Sequence, residues 1–319
     1  MKQAIKIGTR DSQLAVWQAT LVQSLLAKNG MASELIHIKS KGDVDTVTPL
    51  YELGVQGIFT KSLDAALLDK RIDIAVHSLK DVPTNLAEGI RQAAVLKRAS
   101  YKDILVFEGD RKLIEEELNS PLTTHHSPFT TFTIATSSTR RKAQWLHRYP
   151  NHTIENLRGN VNTRLRKIKE NNWNGAIFAA AGLERIGLRP QSSIDLDWML
   201  SAPAQGAITI VCRNDDTFSF DVSHQLNDTD TQLCTKIERD FLRGLLGGCS
   251  TPISALAVIE NKKIIFKGNI CSPDGKKKIE IEKEVKIESS EDLGTVAANE
   301  LLRNEEAKQI IYSIRNATK

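Results

Sequence analysis

The stretch Ile72-Asp73-Ile74-Ala75-Val76-His77-Ser78-Leu79-Lys80-Asp81-Val82-Pro83 decides the architecture. Its first half, Ile72 to Val76, is a short apolar run that reads as a buried strand ending at His77, and its second half turns polar at once. In an open α/β sheet, polar groups just past a strand's carboxyl end sit where ligands bind. A Lys and an Asp adjacent there can hold opposite ends of a zwitterionic transition state, with Asp81 stabilising a cationic centre. An isolated Lys–Asp pair is more often a solvated salt bridge of small energetic weight, so the surrounding sequence has to carry the case.

Upstream, Ile5 to Ile7 reads as a strand. Asp11 or Ser12 can cap a helix with Leu14, Trp17, Leu21, Leu25 and Leu26 on one face, stopped by Asn29-Gly30. Leu35 to Ile38 is a second strand and Thr60 to Lys70 a second helix. After Ser100 the alternation restarts: strands Ile104 to Phe107, Thr131 to Ala135, Thr153 to Leu157 and Ala176 to Ala179, with helices near Arg111 to Leu118, from Ser138 and from Val161. Ala207 to Cys212 is one more apolar strand, then a polar stretch, Arg213 to Asp230, and a helix from about Thr231 to Leu246. Beyond Cys249 come strands Ala255 to Ile259, Lys263 to Lys267 and Lys278 to Ile287, and a closing helix with Val296, Leu301, Leu302, Ile310 and Ile311. The pattern predicts two α/β units followed by a small α+β domain.

At 319 residues the chain is long enough for two or three domains. Its hydrophobic fraction of 40% and charged fraction of 26% are those of a globular protein rather than a disordered one. Neither a signal-peptide core nor a membrane-length apolar run is present, so a cytoplasmic protein is expected. Cys212, Cys234, Cys249 and Cys271 lie far apart, with no C-x-x-C pair and no zinc spacing. His125 and His126 fall in a polar two-proline loop, and no metal site is expected. The net charge of +4 is concentrated: between Thr136 and Glu170, nine Lys/Arg face two Glu, a local +7. Such a patch calls for an anionic ligand. Nucleic acid is a poor one here, because aromatic content is 5% and no stacking residues interleave the basic ones.

The basic residues recur at strand-to-helix turns. Thr136-Ser137-Ser138-Thr139-Arg140-Arg141 opens a helix after a strand, where free backbone N–H groups and hydroxyls form an anion site. Two arginines in a first helical turn oppose the helix dipole, so helix stability does not explain them. Leu157-Arg158-Gly159-Asn160-Val161, with Arg164, repeats the theme, and Arg10 with Ser12 does it again. Cys249 sits in Leu245-Leu246-Gly247-Gly248-Cys249-Ser250, where glycines clear space beside the sulfur. His77 and Ser78 are strand neighbours pointing to opposite faces, which excludes a Ser-His-Asp triad.

Together, Gly8-Thr9-Arg10 with Ser12-Gln13-Leu14-Ala15, Val76 to Pro83, Ser137-Ser138 with Arg140-Arg141, Leu157 to Val161, Ala181-Gly182-Leu183 and Gly247-Gly248-Cys249 resemble the porphobilinogen deaminase family, in the right order from Ile5 to about Pro252. The resemblance implies two periplasmic-binding-protein-like lobes plus a small C-terminal α+β domain. Residues 1–98 and 204–218 would form the first lobe, 99–203 the arginine-rich second, and 219–319 the third domain. It implies a dipyrromethane cofactor held by a thioether to Cys249, four porphobilinogen units added head to tail with loss of ammonia, and release of hydroxymethylbilane. Lys80 and Asp81 would be catalytic. Ser78, Lys80, Asp81, Ser137, Arg140, Arg141 and Arg164 would contact the cofactor, while Arg10, Ser12, Arg158, Arg185 and Gln205 would hold substrate or the growing chain. A monomer without nucleic-acid or membrane partners follows from the same resemblance.

The chain departs from the family pattern in four places. Gly54-Val55-Gln56-Gly57 lacks a lysine, Ser201-Ala202-Pro203-Ala204-Gln205 lacks the Gly usual before the Gln, Leu246 replaces an acidic residue, and the connection Asn119 to Thr131 is long. A non-enzymatic two-lobed anion-binding sensor module is the competing reading. It accounts for the arginines but not for Lys80-Asp81 and Gly-Gly-Cys occurring together.

Overall fold

The computed structural model describes residues 4–39, 60–119, 131–245, 247 and 251–317. Gly54 to Gly57, His125, His126, Leu246 and Cys249 lie outside the described residues. The chain begins with β1 (Ile5–Thr9), α1 (Gln13–Lys28), β2 (Ser33–His37), α2 (Lys61–Leu68), β3 (Ile74–Ser78), a 3₁₀ turn (Leu79–Asp81) and β4 (Ile90–Val95). Next come β5 (Asp103–Phe107), α3 (Arg111–Asn119), β6 (Thr133–Ala135), α4 (Thr139–Arg148), β7 (Thr153–Glu155), α5 (Val161–Glu170), β8 (Gly175–Ala179), α6 (Ala180–Glu184) and β9 (Ser193–Asp195). It continues through β10 (Ile208–Arg213), α7 (Thr217–His224), α8 (Thr229–Gly244), β11 (Ile253–Glu260), β12 (Lys263–Cys271), β13 (Lys278–Lys286), α9 (Leu293–Leu301) and α10 (Glu305–Ala317).

Two five-stranded sheets form two lobes. The first has the order β2-β1-β3-β10-β4 and the second β7-β6-β8-β5-β9. Position by position these match: parallel strands on one side, and one antiparallel strand, β10 or β5, inserted before the last. β10 and β5 are entered where the chain crosses between lobes. In the first lobe, α1 and α7 cover one face through Ala19, Val22, Leu26 and Val222, and α2 covers the other through Leu63, Ala66 and Leu67. Burial of β3 on both faces explains why it reads as an unbroken apolar run. The third domain is an antiparallel meander, β11-β12-β13, packed on α8, α9 and α10 around Phe241 and Phe266.

Local chemistry sets the boundaries near the site. Ser12 rather than Asp11 caps α1, its Oγ accepting from Ala15 N, and Gly30 ends the helix at φ +73°. Ser138 caps α4 and Asn160 caps α5 in the same way. Gly159 holds φ +114°, and a Cβ there would lie 2.7 Å from Thr163 Cγ2, so this turn needs glycine.

Three expectations shift. Strand β3 runs from Ile74 to Ser78 rather than from Ile72 to Val76, with Asp73 tied to Lys6 N at 2.9 Å. The polar stretch after Arg213 contains α7, capped by Asp216. Its Val222, with Phe220 and Leu226, packs into the first lobe's core although a boundary at 218 had assigned it to the third domain. The closing helix is two, α9 and α10, separated at Leu302 to Asn304.

Candidate functional site

β3 delivers the chain into the 3₁₀ turn that carries Lys80 and Asp81. At its end Ser78 Oγ accepts from Gln18 Nε2 of α1 at 2.8 Å. Lys80 Nζ donates to Gln205 Oε1 at 3.1 Å. Gln205 is fully buried on the segment returning to the first lobe, and its Nε2 donates to Tyr101 O at 2.8 Å and Asp103 Oδ1 at 3.0 Å. Asp103, also fully buried, opens β5 and accepts from Arg140 Nη2 at 2.7 Å and from Arg141 Nε and Nη2 at 3.0 and 2.7 Å. Thus Lys80, Gln205, Asp103 and the Arg140–Arg141 pair form one continuous polar chain from the first lobe, through the crossing, into the second.

The two crossing segments lie side by side. Arg98 Nε donates to Gln205 O at 2.8 Å, and Ala99 N to Gly206 O at 3.1 Å. Gly206 has φ +87°, and a Cβ on it would meet Ser100 O at 2.6 Å, so glycine is required for this approach. Ala204, where the family pattern has Gly, sits at φ +61°. From the third domain, fully buried Glu238 of α8 receives both Arg98 Nη atoms, at 2.6 and 3.1 Å, together with Ala204 N and Ala257 N.

Electrostatics divide the cluster. Burial alone would raise the Asp103 carboxyl, but Arg140, Arg141, Lys80 and Gln205 together hold it well below the carboxylate range. For Lys80, burial and then Arg141 pull the ammonium down to about 8, against the opposing pull of Asp81 and Asp103. Arg164 is lowered to about 10 by burial and then by Arg141 and Arg158, with Asp81 opposing. Arg185 is lowered to about 10 chiefly by burial. His77 is pushed to about 3 by burial and by Arg10, so it is neutral at physiological pH. Cations that depress one another in a partly enclosed space describe a site with surplus positive charge, which an anion relieves.

The expected residues converge unequally. Lys80 feels the charges of Arg140, Arg141, Asp81 and Asp103, and Arg164 those of Arg141, Arg158 and Asp81. Arg140 and Arg141 are 4% and 6% exposed, and the carboxylate they grip belongs to this chain. Their other bonds go to Leu200 O and Ile177 O. Ser12 is engaged as a helix cap, and Ser137 Oγ contacts Asn156 and Leu157. Arg185 Nη2 donates to Gly206 O at 2.6 Å and its guanidinium lies 5.9 Å from the Trp17 ring centroid, spanning the lobes. Cys212, Cys234 and Cys271 are free and buried. Asp103, Glu238 and Gln18 were not anticipated. The available signal for Asp103 was a lone acid at the head of an otherwise apolar strand, Asp103-Ile104-Leu105-Val106-Phe107.

Two lobes joined by a double crossing thus set the Lys80-Asp81 turn opposite an arginine-rich lobe. Residues 5–220 match the family model described as porphobilinogen deaminase, dipyromethane cofactor binding domain, and residues 232–303 match the porphobilinogen deaminase C-terminal domain. The chain belongs to the porphobilinogen deaminase family. The porphobilinogen deaminase of Acidithiobacillus ferrooxidans is 38% identical over 321 residues, covering 99% of this chain and 100% of the relative. That of Desulforamulus reducens is 37% identical over 319 residues, 99% of each. Among solved structures, the VFT2 domain of Bordetella pertussis BvgS is similar at 10% identity and TM-score 0.41, covering 70% of this chain and 86% of that one. The methionine binding protein MetQ is similar at 14% identity and TM-score 0.42, with 70% and 89% coverage. At such scores these two likenesses carry no argument.

Proposed function

We propose that the chain is a hydroxymethylbilane synthase, condensing four porphobilinogen molecules head to tail, with release of ammonia, on a covalently held dipyrromethane primer. Cys249 is the attachment point, through a thioether. The observation that carries the reading is the Lys80-Asp81 turn joined through Gln205 to Asp103 and its arginines, with Lys80 coupled to Arg141 and Asp81 to Arg164. That surplus positive charge fits a dipyrromethane, whose acetate and propionate groups are anionic. When bound, the group supplies the nucleophilic pyrrole end on which the chain grows.

The residues divide the remaining work. Arg164, with Ser78 and Ser137, holds carboxylates of the primer, and Lys80 adds a cation fixed by Gln205. Arg140 and Arg141 act from behind, clamped by Asp103, as fixed positive charge rather than as mobile grips. Arg10, Ser12, Arg158 and Arg185 receive the incoming substrate or the growing chain. Asp81 stabilises the cation left on substrate by ammonia loss and mediates the proton transfers that accompany the condensation. The resemblance further supports a cytoplasmic monomer, and no helix among the described residues is long and apolar enough to cross a membrane.

Intact mass tests the reading. Purified protein from a haem-making host is expected to exceed its sequence mass by two pyrrole units, and Cys249→Ser protein to lack the addition. An unmodified wild-type mass would favour the sensor alternative.

A further inference from the structure

Asp81 is held without a hydrogen bond to its carboxylate among the described residues, so its place is set by the backbone that carries it. That backbone is gripped from another domain. Arg239, on α8, donates from Nη1 to Leu79 O at 3.3 Å and Val82 O at 2.9 Å, and from Nη2 to Pro83 O at 2.6 Å. One turn later on the same helix face, Arg243 Nη2 donates to Thr84 O at 3.0 Å. The carbonyls on both sides of Lys80-Asp81 therefore end on one guanidinium, whose planar fork suits several acceptors at once. Arg243 lies in the last turn of α8, where a cation is also favoured by the helix dipole. The opposite end of the turn is tied to the crossing by Leu79 N donating to Ala207 O at 3.0 Å.

We infer that Arg239 is a positioning residue for the reaction: it fixes the Lys80-Asp81 turn and indexes it to the helix whose continuation in sequence is Gly247-Gly248-Cys249. The inference rests on the enzymatic reading above. The described hydrogen bonds of Arg239 end on backbone carbonyls of the first lobe, so its loss leaves Lys80, Asp81 and the arginines of the second lobe in place and frees the turn that orients Asp81. A reaction that depends on oriented groups loses rate from such a change far more than it loses affinity.

The test uses full-length protein carrying its covalent group, as wild type, Arg239→Met and Arg239→Lys, with intact mass, circular dichroism, kcat and KM for porphobilinogen measured on each. Arg239→Met is expected to retain the added mass and to lose about 100-fold in kcat, with KM within about threefold of wild type. Arg239→Lys, which still offers donors to the carbonyls, is expected to recover at least about tenfold of that loss. An Arg239→Met enzyme within about twofold of wild-type kcat overturns the inference, as does a loss that merely tracks the fraction lacking the added mass. Should Arg239→Met not fold, Arg239→Lys decides alone: a kcat fall with unchanged KM supports positioning, and full activity overturns it. Wild-type protein that does not consume porphobilinogen sinks the enzymatic reading instead, a result separable from every outcome for the variants.

Discussion

In the first lobe the central strand β3 releases its chain into a single 3₁₀ turn that presents Lys80 and Asp81. In the second lobe the matching strand β8 runs straight into α6 and Arg185, while its neighbour β6 leads through Ser138 into α4 and the buried Arg140 and Arg141. The strand order is shared, and so is the rule that strand ends face the ligand. The difference lies in what backs the exposed groups. Arginines of the second lobe stand on an internal carboxylate, Asp103, which fixes them and spends part of their charge. No such carboxylate stands behind Asp81, which answers to backbone position. On the proposed reading, the same topology thus yields one lobe that holds and one that reacts.

The contrast can be broken at either lobe. Asp81→Asn removes the reactive carboxylate and is expected to lower porphobilinogen turnover by about 100-fold or more. It should barely move the unfolding midpoint, since that carboxylate makes no described hydrogen bond; a near-normal rate removes Asp81 from the chemistry. Asp103→Ala strands two buried guanidiniums and should cost about 3–5 kcal/mol in urea unfolding. A loss under about 1 kcal/mol would mean that Arg140 and Arg141 find water or other acceptors without penalty.

Lys80 sharpens the comparison through pH. Because its ammonium titrates at about 8, kcat/KM is expected to fall as pH rises through that value, where the amine loses the charge that complements an anionic chain. Stability moves the other way. Between about 8 and the unfolded value near 10.4, the unfolded chain holds a proton that the folded one has shed, so stability rises with pH over that window. A pH–rate profile flat from neutrality to well above 8 would show that Lys80 is not needed as a cation. Smallest of all is Ala204→Gly. Relief of left-handed strain, about 1–2 kcal/mol, is offset by unfolded-chain entropy and a lost buried methyl, so thermal unfolding should register a change within about 1 kcal/mol.

Local signals made much of this legible in the sequence. Ser138, Asn160 and Gly159 announce the helix starts and the tight turn, and the apolar run into His77 announces β3. What stayed hidden depends on partners distant in sequence. β4, Ile90-Arg91-Gln92-Ala93-Ala94-Val95, carries two polar residues that blur its period, and only its pairing with β10 reveals it as a strand. Glu238 reads as one more helical acid until Arg98, 140 residues away, is brought against it. Asp103 reads as a loop residue until Arg140 and Arg141 close over it. Buried charge is stable only where its counter-charge is supplied, and the pattern along a chain does not say where that will be. Arg140 and Arg141 show the same limit from the other side: their spacing marked an anion site, but not that the anion was already part of the protein.

The paired crossing at Arg98 to Ala99 and Gln205 to Gly206 has a mechanical consequence. Two strands hydrogen-bonded side by side bend together about one axis and resist torsion, so the gap between the lobes widens as an angle. Displacement then grows with distance from the fulcrum. Lys80 donates to Gln205 on the crossing and is linked through it to Asp103, so it lies close to that axis, whereas side chains farther out along the gap lie on longer arcs about it. On the proposed reading, a lengthening product would be accommodated at the rim, away from the fulcrum.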